Sequence, residues 1–260
     1  MKYGVCTDPS MAPPLADAGF EFIELHVQNH LKTQQDEAIF APELERIRAS
    51  ALPCEAANCF LPGSLKVTGP DVDMDALTAY VDLACERANR AGIETIVFGS
   101  GGARQIPEGF DRDRAWKQLV AFGTMLGPVA QKHNVMVVVE PLNKRECNVF
   151  NSVGECAAYV RQVDHPYLRL LVDAYHWAVE NDSYDDLVDS TPLIHHAHIA
   201  TYTSRMAPGL EACDWSTFFQ AIEKGGYDGR LSIEGKWTDM ASDAVRALDT
   251  LKKSARAAGY

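Results

Sequence analysis

The feature that most constrains this chain is an alternation. Eight short β-rich runs, each followed by a stretch with helical periodicity or a loop, succeed one another along 260 residues. The runs are "KYGVC" (Lys2 to Cys6), "FEFIEL" (Phe20 to Leu25), "PCEAAN" (Pro53 to Asn58), "ETIVFG" (Glu94 to Gly99), "NVMVVVE" (Asn134 to Glu140), "LRLLVD" (Leu168 to Asp173), "LIHHAHI" (Leu193 to Ile199) and "RLSIE" (Arg230 to Glu234). Between them, Met74 to Gly92 puts Leu77, Val81, Ala84 and Ala88 on one helical face,. Arg114 to Asn134 does the same with Trp116, Leu119 and Val120, then Met125, Leu126 and Val129. "WSTFFQAIEKGG" ends on Gly225-Gly226, a helix stop before the last run,. Such a rhythm predicts an α/β fold, a single (β/α)8 TIM barrel over residues 1–260,.

The competing architecture is a doubly wound open sheet, which needs a glycine-rich phosphate loop after its first strand. Here that position reads "CTDPSMAPP", without glycine, and the "FGSGGARQ" after the fourth run is not the G-x-G-x-x-G pattern. A net charge of −12 repels phosphate backbones and anionic lipid, so neither nucleic acid nor membrane is expected as a partner,. No apolar stretch approaches the ~20 residues of a membrane span. The start of the chain lacks a signal-peptide pattern, and the seven cysteines include no C-x-x-C. Reduced thiols and a cytoplasmic location are the expectation.

In a barrel the chemistry gathers at the C-terminal ends of the strands. The fifth run ends in Glu140, the sixth in Asp173 with His176 three residues on, and the eighth in Glu234. The seventh carries His196 and His198, whose spacing of two puts both on one face,. Singly, each has an ordinary explanation: a solvated glutamate, a helix-capping aspartate, a core histidine. Together, three carboxylates at one barrel mouth would repel one another unless a cation neutralised them. Carboxylate oxygens with an imidazole suit one hard divalent ion, Mn2+ or Mg2+ first, with Co2+ or Zn2+ also accommodated.

The motifs "EPLNKRECNVFNS", "LLVDAYHW", "HAHIA" followed by Arg205, "GYDGRLSIE" and "FGSGGARQIPEGFD" occur in that spatial logic, with 33 residues from Glu140 to Asp173. On these residues the chain resembles the xylose isomerase-like superfamily of sugar isomerases and epimerases. That group includes ketose 3-epimerases, hydroxypyruvate isomerases, inosose dehydratases and, more distantly, endonuclease IV. The resemblance runs over nearly the whole chain. It implies Glu140, Asp173, His198 and Glu234 as metal ligands, and Glu146, His176 and Arg205 as residues that meet the substrate's oxygens. It implies Glu140 and Glu234 as the catalytic acid/base pair, facing opposite sides of the reacting carbon.

The expected activity is a metal-dependent isomerase or epimerase of a small keto-sugar or hydroxy-keto acid, acting through an enediolate. A dehydratase of a keto-polyol would use the same site, with hydroxide leaving. A non-catalytic sugar-binding barrel is the alternative from another class, opposed by the presence of all four ligands. The endonuclease reading wants more metal ligands and a basic groove. The partner expected is a small-molecule sugar or keto acid, and self-association into a homo-oligomer is left open. Outside the pattern, Cys6, His26 and Phe60 either line the pocket or pack ordinarily, and Trp237 either stacks on a sugar or anchors a loop. Arg104 either contacts a substrate anion or is a solvated loop residue.

Overall fold

The structure, a computed structural model, describes residues 1–260. Its eight strands are β1 Lys2–Cys6, β2 Phe22–His26, β3 Cys54–Asn58, β4 Thr95–Phe98, β5 Met136–Val139, β6 Leu168–Asp173, β7 Ile194–Ile199 and β8 Arg230–Ile233. They pair in chain order, all parallel, and β8 closes onto β1. The sheet is therefore the closed barrel that the alternation predicts, with helices between the strands. No helix is long and apolar enough to cross a membrane. All seven cysteines are free thiols.

Several helices begin where a side chain completes their backbone hydrogen bonds. Helix Met74–Ala91 starts where Asp73 accepts from the Ala76 N–H at 2.9 Å, and it stops at Gly92 in a left-handed conformation, φ 79°,. Its buried face includes the expected Leu77, Val81, Ala84 and Ala88. Helix Arg112–Lys132 starts two residues earlier than its apolar pattern suggests, because Asp111 accepts from the Arg114 N–H at 2.7 Å and caps it.

Period-two alternation sorts each strand into residues facing the helices and residues filling the barrel. Phe98 packs on Phe122 of the outer helix at 5.2 Å between ring centroids. Its neighbour Val97 points inward and forms a small apolar layer with Val138 and Leu171. The other half of the barrel interior differs. There the Phe22 ring lies so close to Gly4 that any Cβ on Gly4 would stand 2.4 Å from it. Above Phe22, the fully enclosed side chains are polar: Glu24, His196, His198 and Ser232.

Candidate active site and metal centre

Alternation also sets which side chains reach the C-terminal mouth. Glu140 stands one residue past β5, in phase with inward Val138, and Pro141 follows it. Glu234 stands one residue past β8, and its N–H donates to the Ile199 carbonyl at 3.1 Å, which ties it to the end of β7. Asp173 closes β6 and caps the next turn, where its Oδ1 accepts from the Tyr175 N–H at 2.8 Å. His198 on β7 pairs in register with Asp173 and with Ser232.

These four side chains converge. One donor atom from each of Glu140, Asp173, His198 and Glu234 lies within 4.8 Å of all the others. His198 turns its Nδ1 into the group, 3.4 Å from Glu140 and 3.5 Å from Glu234. Both His198 Nδ1 and Glu140 Oε1 are buried without a hydrogen-bond partner. Unsatisfied buried polar atoms are costly, and two of them aimed at one point, amid carboxylates, fit a bound cation. Oxygen donors with a single imidazole fit a hard divalent ion rather than a closed thiolate site. Of the two inward-facing histidines of β7, His196 lies deeper, outside the group of Glu140, Asp173 and Glu234, with its Nε2 on Glu24 at 2.7 Å.

The protonation balance reflects this crowding. Burial pushes the Asp173 carboxyl up to about 6. Burial also raises Glu140, with Glu234's charge adding to the effect. Glu234 is buried too, but His198 and Arg205 outweigh that and hold it at about 2. For His198, burial opposes charge, while Glu24 and Glu234 reverse the balance and lift it well above the usual imidazole range.

Around this core sit the residues expected to meet a substrate. The His176 Nδ1 accepts from the Asn143 backbone N–H at 3.1 Å. That contact leaves the proton on Nε2, which is buried, unpartnered, and 3.6 Å from Asp173 and 3.9 Å from Glu146,. Glu146 accepts from the Asn143 side chain at 2.9 Å. Arg205, in a left-handed backbone conformation at φ 54°, stacks over Tyr175 at 4.8 Å and reaches Glu234 at 2.5 Å, Asp173 at 3.4 Å and Glu146 at 3.5 Å. All seven expected residues thus share one mouth, and Glu140, Glu146, Arg205 and Glu234 line a cavity of about 340 Å³ there. A hollow of about 530 Å³ adjoins it, sharing His26, Asn58 and Cys59.

A larger concavity, about 750 Å³, lies at the opposite end of the barrel. Its charges are already paired, Arg230 with Glu94 at 2.9 Å and Glu55 at 3.2 Å, and Lys2 with Glu55 at 2.5 Å. It holds none of the convergent groups described above.

Other residues resolve as follows. Cys6 stands beside Glu24 and His198, and His26 lines the cavity. Phe60 is packed between Tyr80 and Phe98 in the core. Trp237 packs against the core and is not among the cavity's lining residues. Arg104 meets neither expectation. It is fully buried, with Nη1 donating to the Phe98 carbonyl at 2.7 Å and Nη2 to the Glu140 carbonyl at 2.6 Å, so it clamps the ends of β4 and β5. Residues that escaped the sequence reading are Glu24, Asn143 and Asn58, whose amide donates to Glu234 at 2.8 Å. For Glu24 a signal existed: a carboxylate inside the apolar run "FIEL".

A closed eight-stranded parallel barrel with an acid-rich C-terminal mouth defines the class: a TIM barrel with a candidate metal centre. The family model described as "Xylose isomerase-like TIM barrel" matches residues 14–254, and the chain belongs to that family. A 3-dehydro-D-guloside 4-epimerase of Escherichia coli is 28% identical over 131 residues, 50% of this chain and 49% of that one. A ketose 3-epimerase of Arthrobacter globiformis is 31% identical over 101 residues, 38% of this chain and 35% of that one. The chain thus spans half or less of the length of these curated relatives. Among solved structures, a D-allulose 3-epimerase from Methylomonas sp. in complex with D-allulose superimposes with a TM-score of 0.81, at 20% identity, covering 98% of this chain and 97% of that one.

Proposed function

We propose that this chain is a divalent-metal-dependent isomerase or epimerase of a small keto-sugar or hydroxy-keto acid. The observation that carries the reading is the convergence of Glu140, Asp173, His198 and Glu234, with two of their buried donor atoms unpartnered. The names of the curated relatives, sugar epimerases, support the substrate class. In this reading the four residues hold one ion, Mn2+ or Mg2+ in the first instance. When bound, such an ion supplies Lewis-acid stabilisation of the negative charge that builds on substrate oxygen.

The chain's own residues supply the rest. Glu140 and Glu234 enter the cavity from β5 and β8, and each presents a carboxylate to a sugar held between them. One removes the proton from the carbon beside the carbonyl, and the other returns a proton to the opposite face. His176 offers its free Nε2–H to a substrate oxygen. Glu146 accepts from a hydroxyl, and Arg205 closes over the charge from the side of Tyr175. Asn58 and Asn143 hold Glu234 and Glu146 in place through their amide hydrogens.

The test is incubation of metal-loaded protein with ketoses, hydroxypyruvate and inososes in heavy water, read by NMR. The expected result is turnover with solvent deuterium at the reacting carbon. A glutamine keeps a carbonyl oxygen but cannot accept the proton. Glu140→Gln and Glu234→Gln should therefore both stop epimerisation, each exchanging label from one face only, on opposite stereoisomers. Turnover of both variants at the unmodified rate would exclude this pair as the acid and base.

A further inference from the structure

Half of the barrel interior is filled by a buried polar stack of Glu24, His196, His198 and Ser232, of which only His198 has a role so far. Glu24, on β2, lies on the inward face with Phe22 below it. Its two carboxylate oxygens are spent on two histidines of β7, which lie 172 and 174 residues away in sequence: Oε2 on His196 Nε2 at 2.7 Å, and Oε1 on His198 Nε2 at 2.9 Å. Glu24 is 1% exposed and both histidines 0%, so neither contact is a surface accident. Ser232 on β8 adds a hydroxyl 3.3 Å from His196 Nε2.

An interior polar group of this kind rarely stabilises a fold, since well-packed apolar residues of similar volume do at least as well. The geometry of His198 shows what the stack achieves. An imidazole that donates Nε2–H to a carboxylate leaves Nδ1 as the nitrogen that gives up its proton to an incoming ion. In this chain that atom faces Glu140 and Glu234. With both oxygens engaged, the Glu24 carboxylate cannot rotate away, and the hydrogen bond to His198 fixes the ring's plane as well as its tautomer. His196 stands edge-on to His198, 5.2 Å away between ring centroids.

We propose that Glu24 is a positioning residue for the metal centre: it holds His198 with Nδ1 as the ligand atom, and His196 holds Glu24. This inference rests on the metal-binding reading given above and extends it one layer outward. Outer hydrogen-bond partners of metal-bound histidines typically contribute about 10- to 100-fold to metal affinity.

The experiment uses the full chain. Protein with 15N-labelled histidine, loaded with 113Cd2+, should show metal–nitrogen coupling at Nδ1 of His198, with Nε2 protonated. Coupling through Nε2 would overturn the proposal without any variant. Glu24→Gln leaves an amide that can accept from one histidine but presents N–H to the other. It should weaken Mn2+ binding, measured by titration, about 10- to 100-fold. His196→Gln, which leaves the contact to His198 intact, should weaken it less, and it serves where Glu24→Gln does not fold. In a His198→Asn background Glu24→Gln should add no further loss; an equal loss in both backgrounds would mean a merely structural role. Unmodified protein that takes up no divalent ion overturns both readings. Unmodified affinity in Glu24→Gln overturns this one alone.

Discussion

Gly99, the first residue past β4, offers a sharp test of how closely the mouth is fitted. A Cβ there would stand 2.1 Å from Glu140 Oε2 and 3.3 Å from its Cδ, inside the separation that real side chains keep. In Gly99→Ala the carboxylate must therefore shift by about an ångström, since Arg104 pins the Glu140 backbone through its carbonyl. A displacement of that size at a catalytic group costs roughly 10²-fold in rate, or about 2.7 kcal/mol of barrier. Gly99 does not occupy the left-handed region, so alanine adds no backbone strain. The same substitution slightly restricts the unfolded chain. The melting temperature should thus change little while solvent-deuterium incorporation falls about a hundredfold at saturating metal. A variant that keeps more than half of the unmodified rate, with full metal content, would refute the placement of Glu140 as a group that must be aligned.

Three further outcomes are expected. Exhaustive chelation should abolish activity and lower the melting temperature, because an ion bound only by the folded chain stabilises it by mass action; restoration by Mn2+, Mg2+ or Co2+ checks the assignment, and full activity in metal-free protein contradicts it. Glu146→Gln and His176→Asn should retain about one ion per chain while kcat/KM falls by about 10² or more; loss of the ion in either would make that residue a ligand. The third concerns pH. Asp173 sits at about 6 in the folded chain against 3.8 for an ordinary aspartate. Between those values the metal-free native state holds a proton that the unfolded chain does not, so this group's contribution to stability falls as pH rises through that window. An ion needs the same oxygen unprotonated, so the rise in melting temperature on adding Mn2+ should grow from pH 5 to pH 7. A metal effect that is flat over that range would contradict it.

What could be read in the sequence followed from local physics. Glu140, Asp173 and Glu234 each terminate an apolar run, and a run of β-rich residues predicts both a strand and the direction in which its end points. Parity puts His196 and His198 on one face, and the choice of His198 between them comes from the family resemblance. The difference in depth between the two was not legible, since it depends on Glu24, whose oxygens come from the other side of the barrel. Arg104 failed for the same reason. An arginine in a glycine-rich loop looks solvated or anion-binding until the carbonyls of Phe98 and Glu140, 6 and 36 residues away, are seen to receive it. Strand ends shifted by a residue or two, as at Glu140, where Pro141 follows and the ladder stops.

The two halves of the barrel interior explain the misses at Glu24 and at the depth of the two histidines. Val97, Val138 and Leu171 fill one half with apolar volume, and there alternation alone predicts burial correctly. The other half departs from the rule that buries apolar residues: Glu24, His196, His198 and Ser232 replace what could have been an apolar layer. Local preference and global fold disagree at such places chiefly where function imposes the disagreement. A carboxylate in the middle of an apolar strand is then better read as a pointer to a distant partner than as a weakened strand. Here the partner is His198, which joins that interior stack to the open cavity, with one ring nitrogen on Glu24 and the other among Glu140 and Glu234. Its ring connects the interior that positions the site to the mouth where a substrate would react.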